Sequence, residues 1–324
     1  MSYLCSKKDM SNKISFDQVI EVGCAADVHK NNIVATIRWG SDKYETKEFG
    51  CYTSSLTKLR AWCQKHGVTH FAMESTGVYW KPVYNILAEE GQLEIILVNA
   101  RHVKNVPGHK TDKKDSIWLS KLLLSGLLKG SFIPPTPIRE LRDLVRYKKK
   151  IVEQRSSEKN RIIRILEDAN VKLSSVLSDV HGAVGQKIIQ DILNGITDAK
   201  RLSRHYHGKM HKSRKEFRLA LEGRIRAHHR FMLKTLKMSI DQKDELINTI
   251  EAQIDEQIKA YQEDVDNLQT IDGVGRDSAI TIISEIGNDM SQFPSEKHLS
   301  SWSGMSPGNH ESGGKKKRQD NKRQ

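Results

Sequence analysis

Apolar residues in the first third of the chain fall into short runs of the kind that form buried strands. The runs at 18–26 and 68–73 end directly before the acidic residues Asp27 and Glu74. Between residues 55 and 66, apolar side chains recur every third position, which indicates a helix. In chain order, the pattern predicts strands at 18–26, 32–39, 43–52, 68–73 and 93–98 and helices at 55–66, 78–90 and 111–124.

The order of these elements predicts a fold class. The segment HKNN at 29–32 separates the first two strands and is typical of a hairpin turn. Three strands followed by alternating helices and strands describe a mixed sheet with helices on both faces. This is the RNase H-like, or RuvC-like, arrangement.

Pro134, Pro135 and Pro137 mark a change of architecture, because three of the seven prolines of the chain stand there. Beyond them, residues 138–170 and 240–268 are highly charged with narrow apolar seams, which predicts two long helices forming a coiled-coil arm. We favour an antiparallel hairpin within one chain over a seam that joins two chains. Residues 200–230 are crowded with Arg, Lys and His, and form either a solvated connection or a surface facing RNA or DNA.

The C-terminal part opens with LQTIDGVGRDSAITIISEIG at 268–287, in which a Gly-x-Gly turn precedes an apolar helix. The glycines Gly273 and Gly275 would let backbone amides approach a phosphate in a helix-hairpin-helix-like element. An ordinary tight turn between two helices fits the same pattern. The chain then ends in a basic, apolar-poor tail, which we expect to be flexible unless a phosphate backbone orders it.

These patterns divide the chain into four parts. They are a disordered N-terminus at 1–17, a mixed α/β domain at 18–133, a helical region at 138–268 and a small C-terminal helical domain at 269–324.

The net charge of +13 predicts a polyanionic partner. Lys and Arg are spread over most of the chain, whereas a protein of the membrane surface usually concentrates them on one amphipathic helix. The charge therefore favours nucleic acid. No run of residues has the length of a membrane span, and the polar N-terminus lacks a signal core, so we expect a cytoplasmic protein without a membrane partner.

The four cysteines show no metal-binding or disulfide spacing. None forms a C-x-x-C pair, and none lies near a pair of histidines. Isolated thiols fit a reducing compartment.

Four carboxylates are the candidate chemistry of the α/β domain. Asp27 and Glu74 follow strands, and Asp112 and Asp115 share one face at the start of a predicted helix. In the predicted fold the four groups converge on one sheet edge and would bind Mg²⁺, expected as two ions, for phosphodiester cleavage. Taken alone, Asp112 and Asp115 fit equally well as first-turn acids that complement the helix dipole.

Several linked motifs around these residues resemble those of a known family, the DEDD transposases of the IS110 insertion sequences, which include the Piv-type DNA invertases. The matching stretches are GCAADVHKN at 23–31, AMESTGVYWKPV at 72–83, VNARHVKNVPGHKTDKKDSIWLSKLL at 98–123, IDGVGRDSAITIISEIG at 271–287, FPSEKHLSSWSGMSPG at 293–308 and ESGGKKKR at 311–318. The resemblance covers roughly two-thirds of the chain, and the charged middle is its least distinctive part.

The resemblance implies a RuvC-like nuclease domain, a coiled-coil region and a C-terminal transposase domain. The family's four acids match Asp27, Glu74, Asp112 and Asp115, and the serine of its S-G-G motif matches Ser312. It further implies that this serine attacks DNA to form a covalent intermediate. The implied partners are donor and target DNA, a structured guide RNA from the element itself, and other copies of the chain in a dimer or tetramer.

Basic and glycine residues around these motifs are our candidates for contacts with nucleic acid. They are Lys110, Lys113, Lys114, Gly273, Gly275, Arg276, Gly313, Gly314, Lys315, Lys316, Lys317 and Arg318. Members of the family continue well past the S-G-G motif, so the end at Gln324 leads us to expect a shortened C-terminal domain. Two alternatives stay open, namely a Holliday-junction-type nuclease with the same four acids and an inactive nucleic-acid-binding remnant of a transposase.

Overall fold

The structure, a computed structural model, describes residues 20–39, 43–75, 77–89, 91–99, 112–208, 210–305, 311–312 and 315–316. The chain divides into two compact units, residues 1–133 and 134–324.

A five-stranded mixed sheet forms the framework of the first unit. Its strands are β1 (Val22–Val28), β2 (Asn32–Trp39), β3 (Lys43–Gly50), β4 (His70–Glu74) and β5 (Glu94–Val98). They lie in the order β3-β2-β1-β4-β5. The pairs β3–β2 and β2–β1 are antiparallel, whereas β1–β4 and β4–β5 are parallel. Every predicted strand is present, and the hairpin turn between β1 and β2 is confirmed.

Helices cover both faces of this sheet because side chains alternate along each strand. On one face, Cys24, Ala26 and Val28 pack into a core with helices α1 (Thr53–Lys65) and α2 (Trp80–Ala88). On the other face, Ala25 packs with helix α3 (Asp112–Leu124). The predicted RNase H-like class, with helices on both faces, is therefore confirmed.

The first strand differs from its predicted bounds. It begins at Val22 and ends at Val28, so Asp27 lies inside the strand rather than after it. The cause is pairing, since Asp27 stands opposite Val34 in the antiparallel ladder with β2. Thr111, the first residue of the helix predicted at 111–124, lies outside the described residues.

The second unit is helical. Its α-helices are α4 (Thr136–Asp168), α5 (Leu173–Val176), α6 (Ala183–Leu193), α7 (Ala199–Leu202), α8 (Arg214–Ala220), α9 (Ala227–Ile258), α10 (Gln262–Gln269), α11 (Arg276–Ile286) and α12 (Glu296–Trp302). None of the helices in the described ranges of either unit combines the length and the apolar character needed to cross a membrane.

Helices α4 and α9 form the predicted antiparallel hairpin within the chain. Lys148 pairs with Glu251 at 2.8 Å, and Arg155 pairs with Asp244, so residue numbers rise on one helix as they fall on the other. Ile151 and Ile247 belong to the same apolar core between them. The expectation of one helix over 240–268 is wrong, because α9 starts at Ala227 and ends at Ile258, and a 3₁₀ turn at Lys259–Tyr261 separates it from α10.

The end of the hairpin formed by the last turns of α4 and the first turns of α9 has a second core of its own. Ile162 of α4 and Leu233 of α9 pack there with Phe217 of α8 and with the buried Leu221. Residues 200–230 are therefore partly folded into helices rather than a plain connection. At the other end, α11 packs into the core shared by α4 and α9.

Candidate functional site

Asp27 and Glu74 lie on one face of the sheet, at the same level along neighbouring strands. In the parallel pairing of β1 with β4, Ala25 stands beside Ala72. Asp27 and Glu74 come two residues after these alanines, so alternation returns both to the same face. Ala25 and Ala72 pack in the core that contains Leu119 of α3, so this is the face that α3 covers. The two acids thus occupy adjacent positions near the carboxyl ends of β1 and β4.

Two polar contacts fix the direction of α3 over this face. Ser116 Oγ lies 2.9 Å from Thr36 Oγ1, and Arg38 Nε donates to Ser120 Oγ at 3.2 Å. Thr36 is level with Ala25 in the sheet, and Arg38 is level with Gly23. One turn toward the N-terminus of α3, from Ser120 to Ser116, therefore corresponds to about two residues toward the carboxyl end of β1.

This direction locates the backbone of Asp112. It stands four residues before Ser116, one helical turn nearer the carboxyl end of β1, at about the level of Asp27. Asp115 lies in the same first turn, and its side chain is exposed. The first turn of α3 and the strand positions of Asp27 and Glu74 therefore meet at the same end of the sheet.

The side chains of Asp112, Lys113 and Lys114 lie outside what the structure describes, and so does Lys110. Among the side chains that are described, no three His, Cys, Asp or Glu residues are grouped closely enough to hold a metal ion. The backbone thus brings together the elements that carry the four acids, and the described side chains account for three of the four.

The anchoring of α3 is testable through its buried hydroxyl pair. Ser116 and Thr36 are both fully buried, so removing one hydroxyl leaves its partner short of a hydrogen bond. We expect Ser116→Ala to lower the free energy of unfolding by about 1–2 kcal/mol, measured by urea denaturation. The double variant with Thr36→Val should lose less than the sum of the two single losses, because the two groups are coupled. Exposed Ser125→Ala, at the residue directly after the same helix, is the control, and equal losses at Ser116 and Ser125 would contradict this role.

His29 is a neighbour of Asp27 that sequence reasoning missed. Its ring Nε2 lies 3.0 Å from Asp27 Oδ2, and the Asp27 side chain is mostly buried, at 15% exposed. His29 follows Asp27 by two residues at the end of a strand, and this spacing places both side chains on one side of the sheet. The spacing is the sequence signal that could have identified His29. His29 therefore helps to orient the carboxylate of Asp27.

Burial favours the protonated thiol form of two cysteines of the first unit. Burial raises the pKa of the Cys24 thiol well above its usual value, with a smaller effect from the neighbouring Cys63. Burial also raises the pKa of Cys51. Since thiolate is the form that binds metals, this burial disfavours metal binding by the two thiols.

In the C-terminal part, the backbone of Ser312 lies in a short two-stranded ladder. Strand β6 (Glu311–Ser312) pairs antiparallel with β7 (Lys315–Lys316), and Ser312 stands opposite Lys315. The predicted contact residues Gly313, Gly314, Lys317 and Arg318 lie outside the described residues. The structure thus places a lysine backbone directly across from the candidate nucleophile.

The Gly-x-Gly segment connects α10 to α11, as the pattern predicted. Gly273 has a positive φ of 84°, which favours glycine, and Gly275 precedes the first turn of α11. Arg276 at that first turn donates to Asp255 Oδ1 at 2.7 Å. Its guanidinium is therefore already engaged by a carboxylate of α9.

A five-stranded sheet in this order, with acids near the carboxyl ends of β1 and β4 and a helix start above them, defines the RNase H-like class of α/β nucleic-acid enzymes. A family model described as a transposase, DEDD_Tnp_IS110, matches residues 24–171. A second, described as transposase of the IS116/IS110/IS902 family, matches residues 265–324. The chain belongs to the IS110 family of DEDD transposases, which are DNA-cleaving and DNA-transferring enzymes of insertion sequences. Comparison with curated proteins gave no match.

Proposed function

We propose that this transposase cuts and rejoins DNA with two sets of groups, a divalent-metal site and a serine nucleophile. The metal ligands are Asp27, Glu74, Asp112 and Asp115, and the nucleophile is Ser312. The observation that supports the proposal most strongly is the placement of Asp27 and Glu74 side by side on the face that α3 covers. The match over residues 265–324 favours a transposase over a junction-specific nuclease.

The chemistry of the four side chains fits Mg²⁺. Carboxylates are hard oxygen donors, and a pair of Mg²⁺ ions, when bound, would stabilise charge on the attacking and leaving oxygens of a phosphodiester. Asp27 and Glu74 are held by paired strands, so their positions are set before substrate binds. His29 would keep the Asp27 carboxylate oriented by contacting one of its two oxygens.

Ser312 would form the covalent link. The serine hydroxyl gives up its proton as Oγ attacks a DNA phosphorus, the Oγ–P bond forms, the bond to the leaving strand oxygen breaks, and that oxygen takes up a proton, so one proton is lost and one is gained. Attack by the hydroxyl of another strand reverses these changes, which joins the new strands and regenerates serine. The phosphodiester energy is conserved in the serine ester, so no external energy source is needed. Lys315, Lys316, Lys317 and Arg318 would neutralise the phosphate.

The proposed partners are donor and target DNA, a structured RNA from the element that pairs with both, and further copies of the chain in a dimer or tetramer. The family resemblance supports the RNA and the multimer. In this proposal, the domains are the nuclease domain at 18–133, the helical region at 138–268 and the transposase domain at 269–324.

The proposed function is tested by purifying the chain with whatever nucleic acid remains bound, sequencing that nucleic acid and assaying cleavage of DNA that pairs with it. We expect an RNA encoded beside the gene and strand cleavage that EDTA abolishes and Mg²⁺ restores. Equal cleavage in EDTA would contradict the metal site, and co-purification of random cellular RNA would contradict guidance. A chain that binds nucleic acid but never cleaves it would instead be a binding remnant.

A further inference from the structure

Positive charge is concentrated in one segment of the second unit. Residues 199–234 contain twelve Lys and Arg against two Asp and Glu, a surplus that accounts for most of the net +13 of the whole chain. The segment runs from α7 through α8 into the first turns of α9. It lies between the two family matches, which end at 171 and resume at 265. We call residues 199–234 the basic module.

The next part of the chain has the opposite charge. Residues 236–269 contain nine Asp and Glu against three Lys. Several of these acids neutralise cations of the same unit, as Glu251 does for Lys148, Asp244 for Arg155 and Asp255 for Arg276. Acidic side chains of residues 236–269 therefore neutralise nearby Lys and Arg. The basic module has no comparable number of acidic residues of its own.

Some cations of the basic module do have partners. Arg204 contacts the buried Asp191 at 2.9 Å, and Arg226 lies 3.5 Å from Asp168. Six others are exposed and make no ion pair with a carboxylate in the part of the chain that the structure describes. They are Lys200, Arg201, Arg214, Lys215, Arg224 and Lys234. Among the described residues, these six are the exposed cations of the module that no carboxylate neutralises.

The module holds these cations on an ordered framework. Phe217 and Leu221 are buried in the core with α4, α6 and α9. Ser213 caps α8 by accepting from the backbone of Glu216, whose carboxylate in turn accepts from the backbone of Ser213. Helices α7 and α8 also contact each other. Side chains on a fixed scaffold lose less freedom on binding than those of a flexible tail.

We propose that the basic module binds the phosphate backbone of duplex DNA beside the recombination site, without reading sequence. Uncompensated Lys and Arg suit phosphates, and release of counterions would drive the binding. Proteins that bind single strands usually offer several aromatic rings for stacking. Within the described part of the module, Phe231 is the one Phe, Tyr or Trp side chain that is mainly exposed. This inference rests on the proposed DNA chemistry for its substrate.

The test measures binding of the full chain to a random-sequence 30-base-pair DNA duplex. Fluorescence anisotropy gives the affinity at each of several salt concentrations. The test variant is Arg214→Gln with Lys215→Gln and Arg224→Gln. The control is Lys58→Gln with Lys65→Gln and Lys129→Gln, three exposed lysines of the first unit that change the net charge by the same amount. A duplex RNA of equal length serves as the second ligand.

We expect the test variant to bind the DNA duplex at least about tenfold more weakly than the parent, with a salt slope smaller by about two to three. The control should stay within about twofold of the parent. Equal weakening in both variants would overturn the proposal, since net charge would then explain binding. A loss confined to duplex RNA would overturn it in favour of an RNA surface. Asp27→Asn separates the two proposals, because it should lower cleavage by about 10³-fold while leaving duplex binding unchanged.

Discussion

Ser312→Ala is expected to abolish the covalent protein–DNA adduct and to reduce strand transfer by at least about 10³-fold, since no other group would take over as the nucleophile. The assay incubates the chain with its guide RNA and labelled target DNA, denatures the mixture and resolves protein-linked DNA on a gel. Target cleavage by water at the metal site would not leave the label on protein. The adduct therefore reports on the serine specifically.

The matched control for that change is Ser303→Ala. Ser303 is another serine of the C-terminal part; it is exposed, and its hydroxyl donates to the Ser300 carbonyl. We expect adduct formation to stay within about twofold of the parent, because surface substitutions of this kind have small effects. If Ser312→Ala forms as much adduct as the parent, the assignment of the nucleophile is wrong.

Asp27→Asn and Glu74→Gln should each lower metal-dependent strand cleavage by about 10³-fold, because an amide replaces one charged oxygen donor of the metal site. DNA binding should be retained, since the lost negative charge does not contact phosphate. Single-turnover cleavage with saturating Mg²⁺ measures the effect. Raising the Mg²⁺ concentration should recover part of the activity if the loss is one of metal affinity.

Glu45→Gln is the control for both acids. Glu45 lies on β3 of the same sheet and pairs with Lys47 at 2.8 Å. We expect cleavage by this variant to equal that of the parent. A parallel loss in all three variants would point to a general effect on the sheet, and normal cleavage in Asp27→Asn would remove Asp27 from the metal site.

The sheet could be predicted because each of its strands carries a local signal. Short apolar runs and the polar turn at 29–32 predict strands without any knowledge of which strands pair. Strand β4, the parallel partner of β1, was predicted from its buried run alone. The predicted end of β1 was wrong because pairing with β2 extends the strand past Asp27 to Val28. The end of α9 at Ile258 was missed because the apolar spacing continues through Tyr261 and Val265 across the 3₁₀ turn.

The folded core next to the basic module was missed because its charged residues dominate the local pattern. Phe217 and Leu221, four residues apart, were the apolar signal, but α8 is only seven residues long. A helix of that length is fixed by packing against α4 and α9 rather than by its own sequence. The expectation of an RNA- or DNA-facing surface there stays a prediction.

The candidate site divides in a similar way. Asp27 and Glu74 could be placed from strand ends, and the structure gives their backbones adjacent positions. The contact of His29 with Asp27 follows from the alternation of side chains along a strand, whereas the sequence analysis considered only the acidic residues. Ser312 has no physical signature of its own, since a serine in a Gly-rich segment is common, and its role came from the family motif alone.

The most direct test of the account is the position of bound metal in the full chain crystallised with Mn²⁺ in place of Mg²⁺, located by anomalous scattering. We predict Mn²⁺ bound between Asp27 and Glu74, with the first turn of α3 supplying Asp112 and Asp115 within about 2.0–2.6 Å of the ions. The result that would contradict the account is Mn²⁺ bound at another place with the carboxylates of Asp27 and Glu74 making no contact to it.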